Sequence, residues 1–130
     1  MKVVVDTNVI VSALISTSGT PAKILSLILN GTIKILYDNR IIFEYFDVLS
    51  RNEFGFSKEI VNDLINYFKH DGEFVNSEFI KRKFFDETDK KFYEVYKTGG
   101  AEYLITGNIK HFPKEDSIVT LKDFMQVFGK

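Results

Sequence analysis

The stretch Lys2-Val3-Val4-Val5-Asp6-Thr7-Asn8-Val9-Ile10 decides the fold. Three β-branched residues in a row favour a strand, because side chains stiff at χ1 pack well on a pleated surface. An unbroken apolar run, with no alternation, marks a strand buried on both faces. The run stops at an acid, a hydroxyl and an amide, and apolar spacing then resumes, so a helix is expected from about Val9 to Ile15. A buried strand that ends in polar side chains and leads straight into a helix is the opening of a parallel βαβ unit.

Outward from this stretch the alternation continues. Ser16-Thr17-Ser18-Gly19 reads as a loop, and Thr20-Pro21 as a helix start with Thr20 as N-cap. That helix runs to about Asn30, where Gly31 stops it, and Ile33 to Tyr37 is a second strand. Asp38 or Asn39 caps a third helix through Arg51, and Ser57 caps a fourth to about His70. Glu73 to Val75 is a weak third strand, and Asp86 to Thr88 precede a fifth helix that ends at Gly99-Gly100. Tyr103 to Thr106 and Ser117 to Val119 are the last two strands. Thr120 with Asp123 resembles a capping box for a final helix through Phe128. The expected architecture is a three-layer α/β/α sandwich around a parallel sheet of about five strands, one domain over residues 1–130.

Composition narrows the function. With 45% apolar and 27% charged residues, the 130-residue chain can bury a core and is not disordered. It has no cysteine, which excludes disulfides and Cys-ligated metal sites. The most apolar stretch, Val3 to Ile15, is broken by Asp6 and Asn8 and lacks a basic leader, so neither a membrane span nor export is expected and the cytoplasm is the expected location. A net charge of −1 does not suit a general nucleic-acid binder. Phosphate binding would need a local basic patch, or a metal that inverts the charge of an acidic pocket.

Topology gathers the acids. Ligands of an open parallel sheet bind beyond the carboxyl ends of its strands, where the strand order reverses. Asp6 ends the first strand, with Asn8 two residues on. Glu44 lies in the second turn of the helix after strand two. Asp89 opens the helix that leads into strand four, and Thr106 and Asn108 follow that strand. Glu44 shares a helix face with Ile41, Tyr45 and Val48, and an inward carboxylate is costly unless it is paired or metal-bound. Carboxylate and amide oxygens are hard ligands that suit Mg²⁺ or Mn²⁺.

Four segments resemble the motifs of PIN domains. They are Val4-Val5-Asp6-Thr7-Asn8-Val9-Ile10, Glu44-Tyr45 with Val48-Leu49-Ser50-Arg51, Asp86-Glu87-Thr88-Asp89-Lys90-Lys91-Phe92, and Ala101-Glu102-Tyr103-Leu104-Ile105-Thr106-Gly107-Asn108. The resemblance implies a Mg²⁺- or Mn²⁺-dependent ribonuclease, in many prokaryotic members the toxin of a toxin–antitoxin pair. It also suggests a homodimer and an antitoxin segment over the acidic cleft. Asp6, Glu44 and Asp89 would be the catalytic, metal-binding acids, with Asn8 and Thr106 in support. Many members end the fourth motif with Asp where this chain has Asn108. Asn108 can coordinate through its amide oxygen, but the pocket carries one charge less, so one ion is expected to be held well.

Lys90, Lys91 and Lys110 are candidates for the RNA backbone, and Lys81-Arg82-Lys83 is the longest basic run. Plainer roles compete: helix capping for Asp6 and Asp89, a surface ion pair with Arg40 for Glu44, a turn for Asn108, and, for His111, a solvated loop in place of help with phosphate binding or proton transfer. Asp86 or Glu87 could replace Asp89 as ligand. Phe43, Phe46, Phe54 and Phe56 are candidates for a partner surface. Three other functions fit less well: a weakened RNA- or protein-binding module, a phosphatase that forms an aspartyl-phosphate, and a nucleotide-binding domain, which would want a glycine-rich phosphate loop after strand one. The phosphatase wants a second Asp where Asn8 stands.

Overall fold

β1 (Lys2–Val5) is the central strand, and its Val3, Val4 and Val5 are all 0% exposed. Complete burial of consecutive strand residues requires helices on both faces of the sheet. β2 (Lys34–Tyr37) lies parallel on one side of β1, pairing Val3 with Ile35. β4 (Tyr103–Ile105) lies parallel on the other, pairing Val3 with Tyr103 and Val5 with Ile105. β3 (Glu73–Phe74) and β5 (Ile118–Val119) form the edges, giving an all-parallel sheet in the order β3-β2-β1-β4-β5. The computed structural model describes residues 1–128.

Six α-helices cover this sheet among the described residues: α1 (Thr7–Ile15), α2 (Thr20–Leu29), α3 (Asn39–Leu49), α4 (Lys58–Asp71), α5 (Lys90–Gly99) and α6 (Leu121–Phe128). α5 packs on β1, β2 and β4, while α1 packs on α2 and α3, α3 on α4, and α2 on α6. The expected α/β/α sandwich with five parallel strands is the fold observed. No single helix among the described residues is long and apolar enough to cross a membrane.

Several element ends differ from expectation, each for a local reason. α1 starts at Thr7 and not Val9, because the Val9 amide donates to the Asp6 carbonyl at 3.0 Å and draws Thr7 and Asn8 into the first turn. Gly19 and not Thr20 is the N-cap of α2, since the Lys23 amide reaches the Gly19 carbonyl. α3 ends at Leu49 and not Arg51, whose amide turns back to the Val48 carbonyl in a tighter last turn. β2, β3, β4 and β5 each lose a terminal residue relative to the expected span, within the ordinary fraying of element ends.

The expected caps on α3 and α4 form. Asp38 accepts from the Ile41 amide at 3.0 Å and Ser57 from the Ile60 amide at 3.1 Å. At α6, Thr120 Oγ1 accepts from the Asp123 amide at 3.2 Å, which is one half of a capping box.

Candidate active site

The chain builds outward from β1 to β3, then returns to add β4 on the opposite side of β1. The order therefore reverses at the β1–β4 junction, and the crevice beyond these two strand ends is where the sheet's geometry places a ligand. The register that pairs Val5 with Ile105 sets Asp6 beside Thr106. The Asp6 amide donates to the Ile105 carbonyl at 3.0 Å, and Thr106 Oγ1 donates to Asp6 Oδ2 at 2.8 Å. The Asn108 amide in turn donates to Thr106 Oγ1 at 2.9 Å.

Asp6 is 3% exposed and occupies the N-cap position of α1, yet its side chain makes no cap hydrogen bond. Its closest side-chain partner is Thr106 across the strand pair, with the Asn8 amide of the first turn also acting on it. Burial lifts its carboxyl above the ordinary aspartate range. The Thr106 bond opposes that rise, the charges of Asp89 and Glu44 add to it, and the Asn8 backbone amide eases it. Asp6, at the end of β1, thus feels two carboxylates that lie far from it in the sequence.

α3 carries Glu44, half-buried, at the same rim. Thr7 Oγ1 donates to Glu44 Oε2, and Lys91 Nζ lies 2.7 Å from Oε1 with the lysine side chain only 12% exposed. The surface pair between Glu44 and Arg40 does not form. Arg40 is taken by Asp38, at 2.7 Å, and by Glu94, at 2.8 Å. Glu94 is buried, and a buried carboxylate without a cation would cost several kcal/mol, on the order of 3–5. Tyr45, fully buried beside Glu44, donates its hydroxyl to the Val5 carbonyl and ties α3 to the end of β1. Burial pushes its phenol well above the usual tyrosine range.

Asp89 closes a 3₁₀ turn, Glu87–Asp89, before α5. Asp86 is the residue that caps it, accepting from the Thr88 amide at 2.9 Å and the Thr88 hydroxyl at 2.7 Å. Asp89 makes no cap bond to α5 and is left for the site. His111 Nδ1 donates to Asp89 Oδ2 at 3.0 Å. Burial raises the Asp89 carboxyl, and the His111 bond pulls it back. A solvated loop histidine was the expectation. Instead the 3₁₀ turn Ile109–His111 folds the ring onto Asp89, with Phe85 against it at 5.0 Å between centroids.

The remaining candidates divide. The Asn8 side chain is exposed, so its contribution to Asp6 comes through its backbone amide. Asn108 likewise reaches the site through its amide, by way of Thr106. The Lys90 ammonium sits 4.5 Å from the centre of the Phe79 ring, and Lys110 is exposed in the turn after β4. Sequence reasoning missed Lys91 as the partner of Glu44, and Thr7 and His111 as the groups that orient Glu44 and Asp89. Thr7 and Lys91 lie inside the first and third motif segments, and His111 lies three residues past the fourth. Of the phenylalanines weighed for a partner surface, Phe43 and Phe46 are exposed, whereas Phe54 and Phe56 stack on each other and are partly buried.

The donor chemistry fits a hard divalent cation. Asp6, Glu44 and Asp89 offer carboxylate oxygens, and the repulsion that raises Asp6 is what a bound cation relieves. The set is not closed as a cage: among the described residues no three His, Cys, Asp or Glu side chains stand grouped to hold an ion. Both oxygens of Glu44 are already engaged, by Thr7 and by Lys91.

A family model described as a PIN domain matches residues 2–110. No curated protein and no solved structure matches the chain.

Proposed function

Because the chain belongs to the PIN-domain family, whose members are generally nucleases, we propose that it is a Mg²⁺- or Mn²⁺-dependent endoribonuclease with Asp6, Glu44 and Asp89 as its metal ligands. The observation that carries this reading is the buried Asp6 carboxylate at the β1–β4 junction, held by Thr106 at 2.8 Å and raised by burial and by the charges of Asp89 and Glu44. Asn108 stands where a fourth acid would be, and its one contact there is the backbone amide that donates to Thr106.

Asp6, Glu44 and Asp89 would hold the cation, which would supply the positive charge to bind a phosphodiester and to acidify a nearby water. The chain's own residues prepare that site. Thr106 fixes the Asp6 carboxylate, His111 fixes Asp89, and Thr7 fixes Glu44. Tyr45 sets the spacing between α3 and β1. Such supporting bonds keep ligands oriented, and their loss typically costs about 10- to 100-fold in affinity or activity.

Lys91 has a separate part. Its ammonium supplies Glu44 with a positive charge in the metal-free protein, so the cation must compete with it. Lys91→Met keeps most of the apolar stem and removes the competitor. Calorimetry is expected to show Mn²⁺ binding roughly tenfold tighter. Unchanged or weaker binding would remove Glu44 from the ligand set.

The test of the whole reading is cleavage of an end-labelled RNA pool with Mn²⁺, with Mg²⁺ and with EDTA. Internal cuts in both metals and none in EDTA are expected, and intact RNA in all three overturns it. The engagement of Glu44 by Lys91 favours one alternative, a weakened RNA-binding module; it would bind the pool equally with and without metal and leave it uncut. We also place the protein in the cytoplasm, as a homodimeric toxin held by an antitoxin. Finding a small antitoxin-like reading frame beside its own would support that role, and its absence would count against it.

A further inference from the structure

We propose that the segment from Phe79 to Phe85 is a binding track for unpaired RNA, with Phe79 and Phe85 as stacking surfaces for bases and Lys81 and Lys83 as phosphate contacts. This rests on the nuclease reading for its substrate and adds where that substrate lies.

Phe85 and Phe79 are the two most exposed large apolar side chains among the described residues, 85% and 78%. Exposed rings of this size cost solvation unless something covers them. Lys81, Arg82 and Lys83 lie between them with no acid in the stretch, against a chain whose net charge is −1. Neither Lys81 nor Lys83 forms an ion pair among the described residues. Cations interleaved with aromatic rings match a single strand, whose charge runs along the backbone and whose bases offer flat faces. A duplex keeps those faces stacked inside.

The two rings flank the acids. Phe85 lies against His111, which holds Asp89. Phe79 lines a groove of about 340 Å³ together with Glu44, Lys90 and Lys91. A strand lying on both rings therefore passes the carboxylates.

The track is also held in place, although it has no regular secondary structure. Ser77 Oγ donates to Asp38 at 2.9 Å, and the Glu78 amide donates to Thr98 Oγ1 at 3.0 Å. The Ile80 amide donates to Glu94 at 2.8 Å, the same carboxylate that Arg40 pairs with. At the other end Phe84 is buried against Tyr93 and Phe112. Anchors on both sides of Lys81–Lys83 leave the flanking rings outside with little freedom to lose on binding.

Fluorescence anisotropy in EDTA, where nothing is cut, reads binding alone. The probes are an unstructured 12-nucleotide RNA and the same sequence as a duplex. The wild type is expected to prefer the single strand. Phe79→Ala and Phe85→Ala should each weaken it roughly tenfold, with an unchanged melting temperature because both rings are exposed, and Phe85→Tyr should restore it. Lys81→Gln with Lys83→Gln should flatten the slope of log affinity against log salt. Equal binding by the Phe79→Ala/Phe85→Ala double variant overturns the proposal, as does equal affinity for the duplex. A partner protein as the true occupant gives the first of these results. Cleavage with Mn²⁺ separates the two readings. RNA cut by the wild type and equally by the double variant sinks the track alone, and RNA bound through these rings but never cut sinks the nuclease alone.

Discussion

Asp6→Asn is expected to lower Mn²⁺-dependent RNA cleavage by more than about 100-fold, beyond the usual effect of losing a supporting residue, while raising the melting temperature of the metal-free protein at pH 7. Both effects follow from one carboxylate. Asp6 is buried at the end of β1 and feels the charges of Asp89 and Glu44. In the proposed mechanism its charge holds the cation, and an amide of the same shape cannot supply it. Asn can still accept the Thr106 hydroxyl that Asp6 accepts at 2.8 Å, so the fold keeps its local bond.

The stability arm has a definite pH dependence. Burial and like charges raise the Asp6 carboxyl above its value in the unfolded chain. Between those two values the folded protein binds more protons than the unfolded one, so stability falls as pH rises through the window. The loss is complete above the raised value and absent below the ordinary aspartate range. The gain from Asp6→Asn should therefore be largest at neutral pH and fade as the pH is lowered through that window. Asp89 is shifted in the same direction and keeps part of the dependence in the variant. Thermal melts from pH 7 to 3 in EDTA, paired with cleavage assays in Mn²⁺, measure both arms. A variant that still cuts, or that melts lower at pH 7, contradicts the account of Asp6 as a costly, functional charge.

Gly72→Ala is the second large effect, and it concerns the fold alone. Gly72 follows α4, with φ −78° and ψ −177°, a conformation open to any residue. What forbids a side chain is space. A Cβ there would stand 2.4 Å from the Phe68 carbonyl oxygen and 2.7 Å from that of Ile35. Both are backbone atoms, in α4 and in the central sheet, and neither can rotate aside. Overpacking commonly costs about 1–3 kcal/mol and more where the backbone must move, so a loss of at least about 3 kcal/mol is expected. For a domain of this size that is a fall of about 10 °C or more in melting temperature. Gly31→Ala is the matched control. Its φ of +82° makes alanine strained, yet nothing lies within 4 Å of the added carbon. Its cost should be about 1–2 kcal/mol, the left-handed penalty alone. Chemical denaturation of both variants tests the contrast. Equal losses would mean that space at Gly72 is not the determinant.

These two glycines show where reading a sequence succeeds and where it stops. Gly31 announces itself, because a glycine after an apolar helical pattern is a local stop signal. Gly72 also follows a helix, but its reason for being glycine is a strand that pairs far away in the chain. Other features divide the same way. Val3-Val4-Val5 as a doubly buried strand, the Asp38 and Ser57 caps, and the order of strands and helices were all legible, since periodicity and capping act within a few residues. The sheet's reversal rule then located Asp6, Thr106, Glu44 and Asp89 at one rim, because a parallel topology leaves little choice of edge.

By itself, then, the sequence determined which elements form, in what order, and that Asp6 and Thr106 lie side by side at the ends of β1 and β4. Only the tertiary structure decided what each acid touches. Lys91 and not Arg40 pairs with Glu44, because the buried Glu94 claims Arg40. His111 turns from solvent onto Asp89. Phe79 and Phe85 stay outside while Phe84 enters the core. The physical reason is common to all three. A side chain chooses its partner by competition among groups brought within a few ångströms by packing, and neither composition nor spacing along the chain encodes that competition.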